Sequence, residues 1–380
     1  MPIHHPTIDE AEALRPTHIE IDLEAICDNY RSICAHVGHR PTMAVIKANA
    51  YGHGLVEVAR RLEKDEVPYF GVAFLEEGIK LRKAGITTPI LVMGGILGDQ
   101  IPLFLEHDLT LTASSVDKLA QIESFAKQRQ QRAKVHVKID TGMERIGVHY
   151  YSAEPLILAS GECRWCEIEG IFTHFASSDE DDMSYTRVQL ERFLSVCELF
   201  DKHGLPTPVR HAANSGAIAQ FPDANLDLVR PGRMLFGVSP TGKAIDGLPL
   251  RTAMNWKSRV VYFKVVKPGH PVSYGSTWQT DKNTRVVTVP VGYGDGYFRN
   301  MSGRAEVVIG GKRYPVVGRI CMDQIMIDIG DDSAFNGDSV LLLGKDGDAS
   351  ITVENLAEWA NTIPLEVLTN INTRVPRVYR

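Results

Sequence analysis

No apolar run in this 380-residue chain is long enough to cross a bilayer. Residues 1–16 are polar, carry acids and histidines, and lack the apolar centre of a secretory signal. Together these absences predict a cytoplasmic protein with no membrane partner. Basic runs are missing too. Lys and Arg are dispersed and the formal net charge is -6, which leaves no electrostatic footprint for nucleic acid or an anionic surface. Cysteine is sparse, and six in this length do not make a disulfide framework. Cys27 and Cys34 fall seven apart on the apolar face of an expected helix and read as core. Cys163 and Cys166 form a single C-x-x-C with no second pair, a weak signal for zinc or redox chemistry. What is present is an ordinary globular composition, 44% hydrophobic and 23% charged, with length for two domains.

The texture divides the chain near residue 247. Up to there, short apolar runs alternate with helical patterns. Asp22 suits an N-cap, and Leu23, Ile26, Cys27, Tyr30, Cys34 and Val37 follow at spacings of mostly three or four. Candidate strands fall at 43–47, 69–74, 90–94, 109–111, 135–140, 168–175, 209–213 and 226–230. Eight such strand–helix units predict an α/β fold, a (β/α)8 TIM-type barrel over 20–247. Residues 248–380 read instead as β-branched runs punctuated by turns, among them Gly310-Gly311, with a helical pattern only over 353–360. This is a second, mostly β domain. Residues 1–19 are expected to pack on it.

The stretch 44–54, Ala-Val-Ile-Lys-Ala-Asn-Ala-Tyr-Gly-His-Gly, puts Lys47 at the end of a buried strand, opening into a turn. A lysine resists burial unless it is paired, deprotonated or covalently bound. That position suits an amine kept for a Schiff base, and the competing reading is a lysine reaching out along a strand edge. Other polar residues end other apolar runs: Lys138 and Asp140 with Arg145 beyond, His174, Asn214 with Ser215, and Arg230 before Pro231-Gly232. The C-terminal ends of barrel strands form the active face of this fold. Ser215 and Gly232 follow strands seven and eight, where backbone N–H groups and hydroxyls commonly hold a phosphate. A phosphate site facing a Schiff-base lysine suggests pyridoxal phosphate. Arg230 is the candidate for its ring nitrogen, and an arginine would leave that nitrogen unprotonated. His53 has no second ligand at metal spacing, so no metal site is expected there.

These motifs, in this order, resemble the alanine racemase family from about Pro16 to the end. Lys47 with Tyr51 and Gly52-His53-Gly54 is similar to the family's cofactor-lysine motif. The segment 138–147 resembles the one bearing a supporting lysine, carbamylated in some members, and a substrate-binding arginine, here Lys138 and Arg145. Thr173-His174-Phe175-Ala176 matches the ring-stacking histidine. His211-Ala212-Ala213-Asn214-Ser215 and Arg230-Pro231-Gly232 match the cofactor-anchoring loops. Val272-Ser273-Tyr274-Gly275 matches the catalytic tyrosine motif. Tyr293 within 292–296, and Arg319, Cys321, Met322 and Asp323 within 319–324, match two β-domain motifs. The resemblance implies pyridoxal 5'-phosphate as cofactor and a small amino acid as substrate. Lys47 and Tyr274 are then bases on opposite faces, with Tyr274 supported through His174 and Arg230. It further implies a head-to-tail homodimer with shared sites, in which Met322 meets the substrate carboxylate through its backbone, and D-alanine made for peptidoglycan.

Two departures stand out. Glu144 replaces a usually small residue before Arg145. Leu365 replaces a tyrosine that supports the phosphate and borders the substrate side chain, so serine acceptance is expected. Rival readings are a decarboxylase of the same architecture, a pyridoxal phosphate carrier and a cofactor-free aldolase. Arg230, the additional β domain, and the Ser215–Gly232 anchor respectively argue against them.

Overall fold

The computed structural model describes residues 15–380. Contacts divide these into two compact units, 23–252 and a second made of 15–22 with 253–380. The first fourteen residues of the segment expected to pack on the β domain lie outside the described residues.

In the second unit, β1 (His18–Ile21) is the first strand of the chain. The first unit is the barrel. Its strands are β2 (Met43–Val45), β3 (Tyr69–Val72), β4 (Ile90–Val92), β5 (Leu111–Ala113), β6 (Ala133–Asp140), the short β7 (Val148–His149), β8 (Cys166–Phe172) and β9 (Val209–His211). Pairing is parallel throughout, in the orders β2-β3-β4 and β5-β6-β8-β9, with β7 beside β6. Single parallel bridges close the ring: Leu91 with Thr110, Asn214 with Arg230, and Val229 with Thr42. The eighth expected strand, 226–230, is therefore present only as two bridging residues. Asp227 helps to explain why. Its carboxylate turns back to Arg210, accepting from the backbone N–H at 2.9 Å and from the guanidinium at 2.8 Å, while Leu226 adopts φ 44°.

Helices cover the strands because each buries one apolar stripe. Helix Leu23–His36 buries Ala25, Ile26, Cys27, Tyr30 and Ile33, at successive spacings of one and three. Along the strands, Ala44, Phe70, Leu91, Leu111, Val135, Val137 and Ile171 are fully buried. Burying both sheet faces explains why these strands read as continuous apolar runs.

The second unit holds the remaining strands: β10 (Met254–Arg259), β11 (Tyr262–Val266), β12 (Pro271–Val272), β13 (Trp278–Gln279), β14 (Thr284–Val289), β15 (Glu306–Ile309), β16 (Lys312–Val317), β17 (Ile325–Gly330), β18 (Ser339–Asp346), β19 (Ala349–Ile351) and β20 (Arg377–Tyr379). Its main sheet runs β11-β14-β17-β16-β15-β18-β10-β1-β20, with β19 on β18. Gly310 and Gly311 make the β15–β16 turn with φ 56° and 76°, the doubly positive pair a tight hairpin requires. Helix Val353–Ala360 is capped by Thr352, whose hydroxyl accepts from the Asn355 N–H. A second helix, Pro364–Asn370, was not expected. Pro364 sits in its first turn, where a missing N–H costs nothing.

Candidate functional site

Lys47 does not end a strand. β2 stops at Val45, and Lys47 opens a turn in which Ala48, Asn49, Ala50 and Tyr51 all take φ between 51° and 56°. Left-handed geometry costs L-residues about 1–2 kcal/mol each, so something must hold it. The Glu77 carboxylate accepts the Ala48 N–H at 2.6 Å and the Ala73 N–H at 2.8 Å. Asn49 Oδ1 accepts from Leu55 N at 2.9 Å. His53 is buried and stacks on Phe236, 4.4 Å between centroids. His53 is thus part of the turn's support.

The turn delivers Lys47 to a cavity of about 260 Å³ at the C-terminal ends of the strands. Lys138, Arg145, Phe172 and His174 line it with Lys47, and Met93 and Ile146 form apolar walls. Burial lowers the Lys47 pKa below that of a free lysine; the Arg145 guanidinium adds to this and Glu77 opposes it. Lys138, far more enclosed, is lowered well below its ordinary value by burial and by Arg230. Its Nζ lies 4.5 Å over the Phe172 ring. Asp140 is not its ion-pair partner. That carboxylate instead accepts the backbone N–H groups of Gly142, Met143, Glu144 and Arg145, at 2.8 to 3.2 Å, and so shapes the loop carrying Arg145. Burial opposes ionisation of Asp140, yet these N–H groups hold its pKa below the usual carboxylate value. Glu144 faces solvent and pairs with His149 at 2.9 Å.

Beneath the cavity runs a buried polar chain. Arg230 Nη1 donates to His211 Nδ1 at 3.0 Å, and Nη2 donates to the carbonyls of Thr173 (2.7 Å) and Ala212 (3.0 Å). Arginine has only donors, which fixes the tautomers. His211 Nδ1 accepts, so its Nε2–H donates to His136 Nδ1 at 2.9 Å. His136 Nε2–H then faces Glu169, 3.9 Å away. Burial, reinforced by Arg230, pushes the His136 pKa down to about 3 and those of His211 and His174 well below normal. All three are neutral near pH 7. Burial also pushes Arg230 down, to about 9, which leaves it the chain's cation. The three partners named use three of its five N–H groups.

A second cluster lies where strands seven and eight end. Asn214 caps helix Ser215–Gln220, its Oδ1 accepting from Ala217 N at 3.1 Å and Ser178 Oγ at 2.7 Å. Ser215 Oγ accepts from Gly232 N at 3.0 Å. A Cβ on Gly232 would stand 2.4 Å from the Tyr51 hydroxyl, so only glycine lets these groups meet. Burial raises the Tyr51 pKa to about 12, keeping the phenol a donor.

The β domain gathers the remaining predicted residues on exposed turns. Tyr274 is 69% exposed and follows Ser273, whose hydroxyl donates to the Arg319 carbonyl at 2.6 Å. Tyr293 N donates to Cys321 O at 3.0 Å and Gly294 N to Met322 O at 2.9 Å. A Cβ on Gly292 would fall 2.3 Å from Cys321 O, so this backbone approach needs glycine. Arg374 ties the turns together, donating to Asp295 at 2.6 Å and Asp323 at 2.7 Å. A larger, more open concavity of about 910 Å³ borders Tyr274 and Cys321, but it is lined mainly by apolar strand residues. The convergence of titratable groups is in the smaller barrel cavity. Leu365 is half-buried in helix Pro364–Asn370.

Glu77, His136, Glu169 and Arg374 were missed in the sequence, and Asp295 was read only as part of the motif 292–296. His136 could have been found, since it alternates with Lys138 and Asp140 along one face of β6. The others act across long separations that no local spacing marks.

Residues 21–240 match the family model "Alanine racemase, N-terminal domain", and 253–379 match "Alanine racemase, C-terminal domain". Alanine racemase 2 of Caldanaerobacter subterraneus subsp. tengcongensis is 42% identical over 371 residues, 97% of this chain and 96% of that protein. The solved alanine racemase of Clostridium difficile 630 superposes with a TM-score of 0.90 at 40% identity, covering 97% of this chain and 96% of that one. That of Bartonella henselae, solved with covalently bound pyridoxal phosphate, gives 0.88 at 29% identity, covering 97% and 100%.

Proposed function

This chain belongs to the alanine racemase family, isomerases that interconvert L- and D-alanine, and from that premise we propose that it works with two bases, Lys47 and Tyr274, and with pyridoxal 5'-phosphate. When bound, that cofactor supplies an aldehyde for amines and a ring that withdraws electrons from the substrate's α-carbon. The chain's own residues suit such a group. The Tyr51 and Ser215 hydroxyls with the Gly232 N–H would hold the phosphate, beside the Asn214 cap. Arg230 would donate to the ring nitrogen with an N–H its other partners leave over. His174 would stack on the ring.

The observation that carries the reading is Lys47. Its amine enters a cavity whose cations and burial favour the neutral form. A neutral amine can take a proton from one face of the α-carbon and return it. Inversion requires a second group on the opposite face, and Tyr274 is the residue proposed. Arg145 and the Met322 backbone would hold the substrate carboxylate. Tyr274 and Lys47 of one site would come from different copies of the chain, in a head-to-tail homodimer. Tyr293, Arg319, Cys321 and Asp323 would shape the β-domain side. Lys138, an enclosed amine whose pKa burial pushes well below its ordinary value and which pairs with no carboxylate, is proposed to be carbamylated and to orient Arg145. We place the enzyme in the cytoplasm, supplying D-alanine for peptidoglycan.

The test is direct. Purified protein given L-alanine should form D-alanine. Borohydride should fix the cofactor to the peptide containing Lys47. Recovery of the label on another lysine would overturn the assignment.

A further inference from the structure

The end of the barrel away from the cavity carries a side-chain cluster that racemisation does not use. β8 leads at its far end to Phe172 and His174 in the cavity, and it begins at Cys166. Cys163 closes the helix Glu154–Glu162, so the turn Cys163-Arg164-Trp165-Cys166 joins helix to strand. Glu123, from the helix Val116–Arg129, is folded into that turn. Its Oε1 accepts the N–H groups of Arg164 (2.9 Å) and Trp165 (3.0 Å), and its Oε2 accepts those of Trp165 (2.9 Å) and Cys166 (2.8 Å). A carboxylate offers about four acceptor positions, and these four contacts fill them, so a metal would take the place on one oxygen of the Trp165 N–H, which both oxygens share. The turn cannot splay without breaking these bonds. In this fixed shape, Cys163 Sγ, Cys166 Sγ and a Glu123 oxygen all lie within 4.8 Å of one another, the one such trio of metal-binding side chains among the described residues.

We propose that Cys163, Cys166 and Glu123 bind one thiophilic divalent cation, zinc by its chemistry, with solvent in the fourth position. Zinc takes sulfur at about 2.3 Å and carboxylate oxygen at about 2.0–2.2 Å, so tetrahedral donors stand roughly 3.5–3.8 Å apart. The three atoms, within 4.8 Å of one another, would draw together to that spacing on binding. Cys166 is buried while Cys163 and Glu123 are half-buried, which leaves one side open to water. Binding releases the two thiol protons to solvent, and with them the Cys163 Sγ–H contact to Ala159 O at 3.4 Å. The ion would join two helices and a strand at the N-terminal end of the barrel. Its effect is therefore on stability and not on turnover.

The experiment uses the holoenzyme, reduced and freed of metal by a chelator, and titrated with cobalt(II) alone. One cobalt per chain should bind, with thiolate charge-transfer and tetrahedral visible bands that zinc then abolishes. The double variant C163S/C166S should lose the bands and keep racemase activity. Glu123→Gln should weaken binding at least as much as loss of an outer-shell partner does, about 10–100-fold. Zinc should also protect Cys163 and Cys166 from alkylation in peptide maps of the unaltered chain. The proposal is overturned if wild-type protein shows no cobalt bands, if they survive in C163S/C166S, or if the two cysteines are recovered as a disulfide. Should the double variant not fold, equal alkylation with and without zinc overturns it alone.

Discussion

In the barrel, Lys138 is 6% exposed and Arg230 3%, whereas in the β domain Tyr274 is 69% exposed and Met322 53%. The barrel residues are held by one another. Arg230, His211 and His136 fix each other's tautomers, and burial sets their protonation. The β-domain residues are held by backbone contacts between turns, through Gly292 and Gly294, and by Arg374 at the edge. One region tunes chemistry by enclosure. The other keeps a tyrosine and a methionine outside any core. The proposed two-base reaction would use both.

The sharpest way to break this contrast is to disable one region in each of two proteins. Lys47→Ala and Tyr274→Phe should each lose at least about 10²–10⁴-fold in kcat, the range for a positioned acid or base. Mixed under subunit exchange, they should regain activity, because one site of the heterodimer is intact. No recovery despite proven exchange would put both bases on one chain.

A smaller effect is expected on the β-domain side alone. Arg374→Ala unties Asp323 from Asp295 and loosens the turn bearing Met322. A hydrogen bond to a charged group is worth about 1.5–3 kcal/mol, and Arg374 is 40% exposed, so the lower end applies. The KM for alanine should rise about tenfold, with kcat changing less. An unchanged KM would show that this turn does not depend on Arg374.

The barrel's buried histidines make a pH prediction. His136 has a folded-state pKa near 3 against an ordinary 6.5. The unfolded chain therefore binds more protons between those values, and stability falls as pH drops from about 6.5 toward 3. Each such histidine contributes up to about 1.4 kcal/mol per pH unit in that window. His136→Gln should flatten the dependence of the urea midpoint by about one proton. An unaltered slope would mean that His136 is not buried neutral.

The smallest effect concerns Leu365. If the position borders the site as the resemblance implies, a tyrosine there would offer the phosphate a hydrogen bond worth about 1.5–3 kcal/mol and fill space beside the substrate. Leu365→Tyr should slow cofactor loss and lower the ratio of serine to alanine kcat/KM. If neither quantity moves, Leu365 does not border the site.

What could be read in the sequence followed from short-range patterning. The apolar run before Lys47, the alternation along 135–140 and the β-branched runs after 248 each announced an element. The polar strand ends announced the cavity. Less legible were features set by conformation or distance. Nothing in Ala48-Asn49-Ala50-Tyr51 signals a left-handed turn, because Glu77 from another element stabilises it. The eighth strand read too long because 226–228 is apolar in part yet bends around Asp227. Arg374 and Asp295 lie 79 positions apart, beyond the reach of any local spacing.

β1 pairs antiparallel with β10 and parallel with β20. The barrel is thus an insertion within a β-hairpin, emerging after Asp22 and returning at Ala253, whose carbonyl accepts the Asp22 N–H at 2.9 Å. This dictates an order of assembly. On the ribosome, β1 is made first but has no strand to join until the whole barrel has been synthesised. Its second neighbour, β20, follows every other strand of that sheet in the chain. The barrel, rich in sequential contacts, can condense early, while the sheet must await loop closure across its full length. Until then β1 is an unpaired edge, and a chaperone that shields extended segments would find its substrate there.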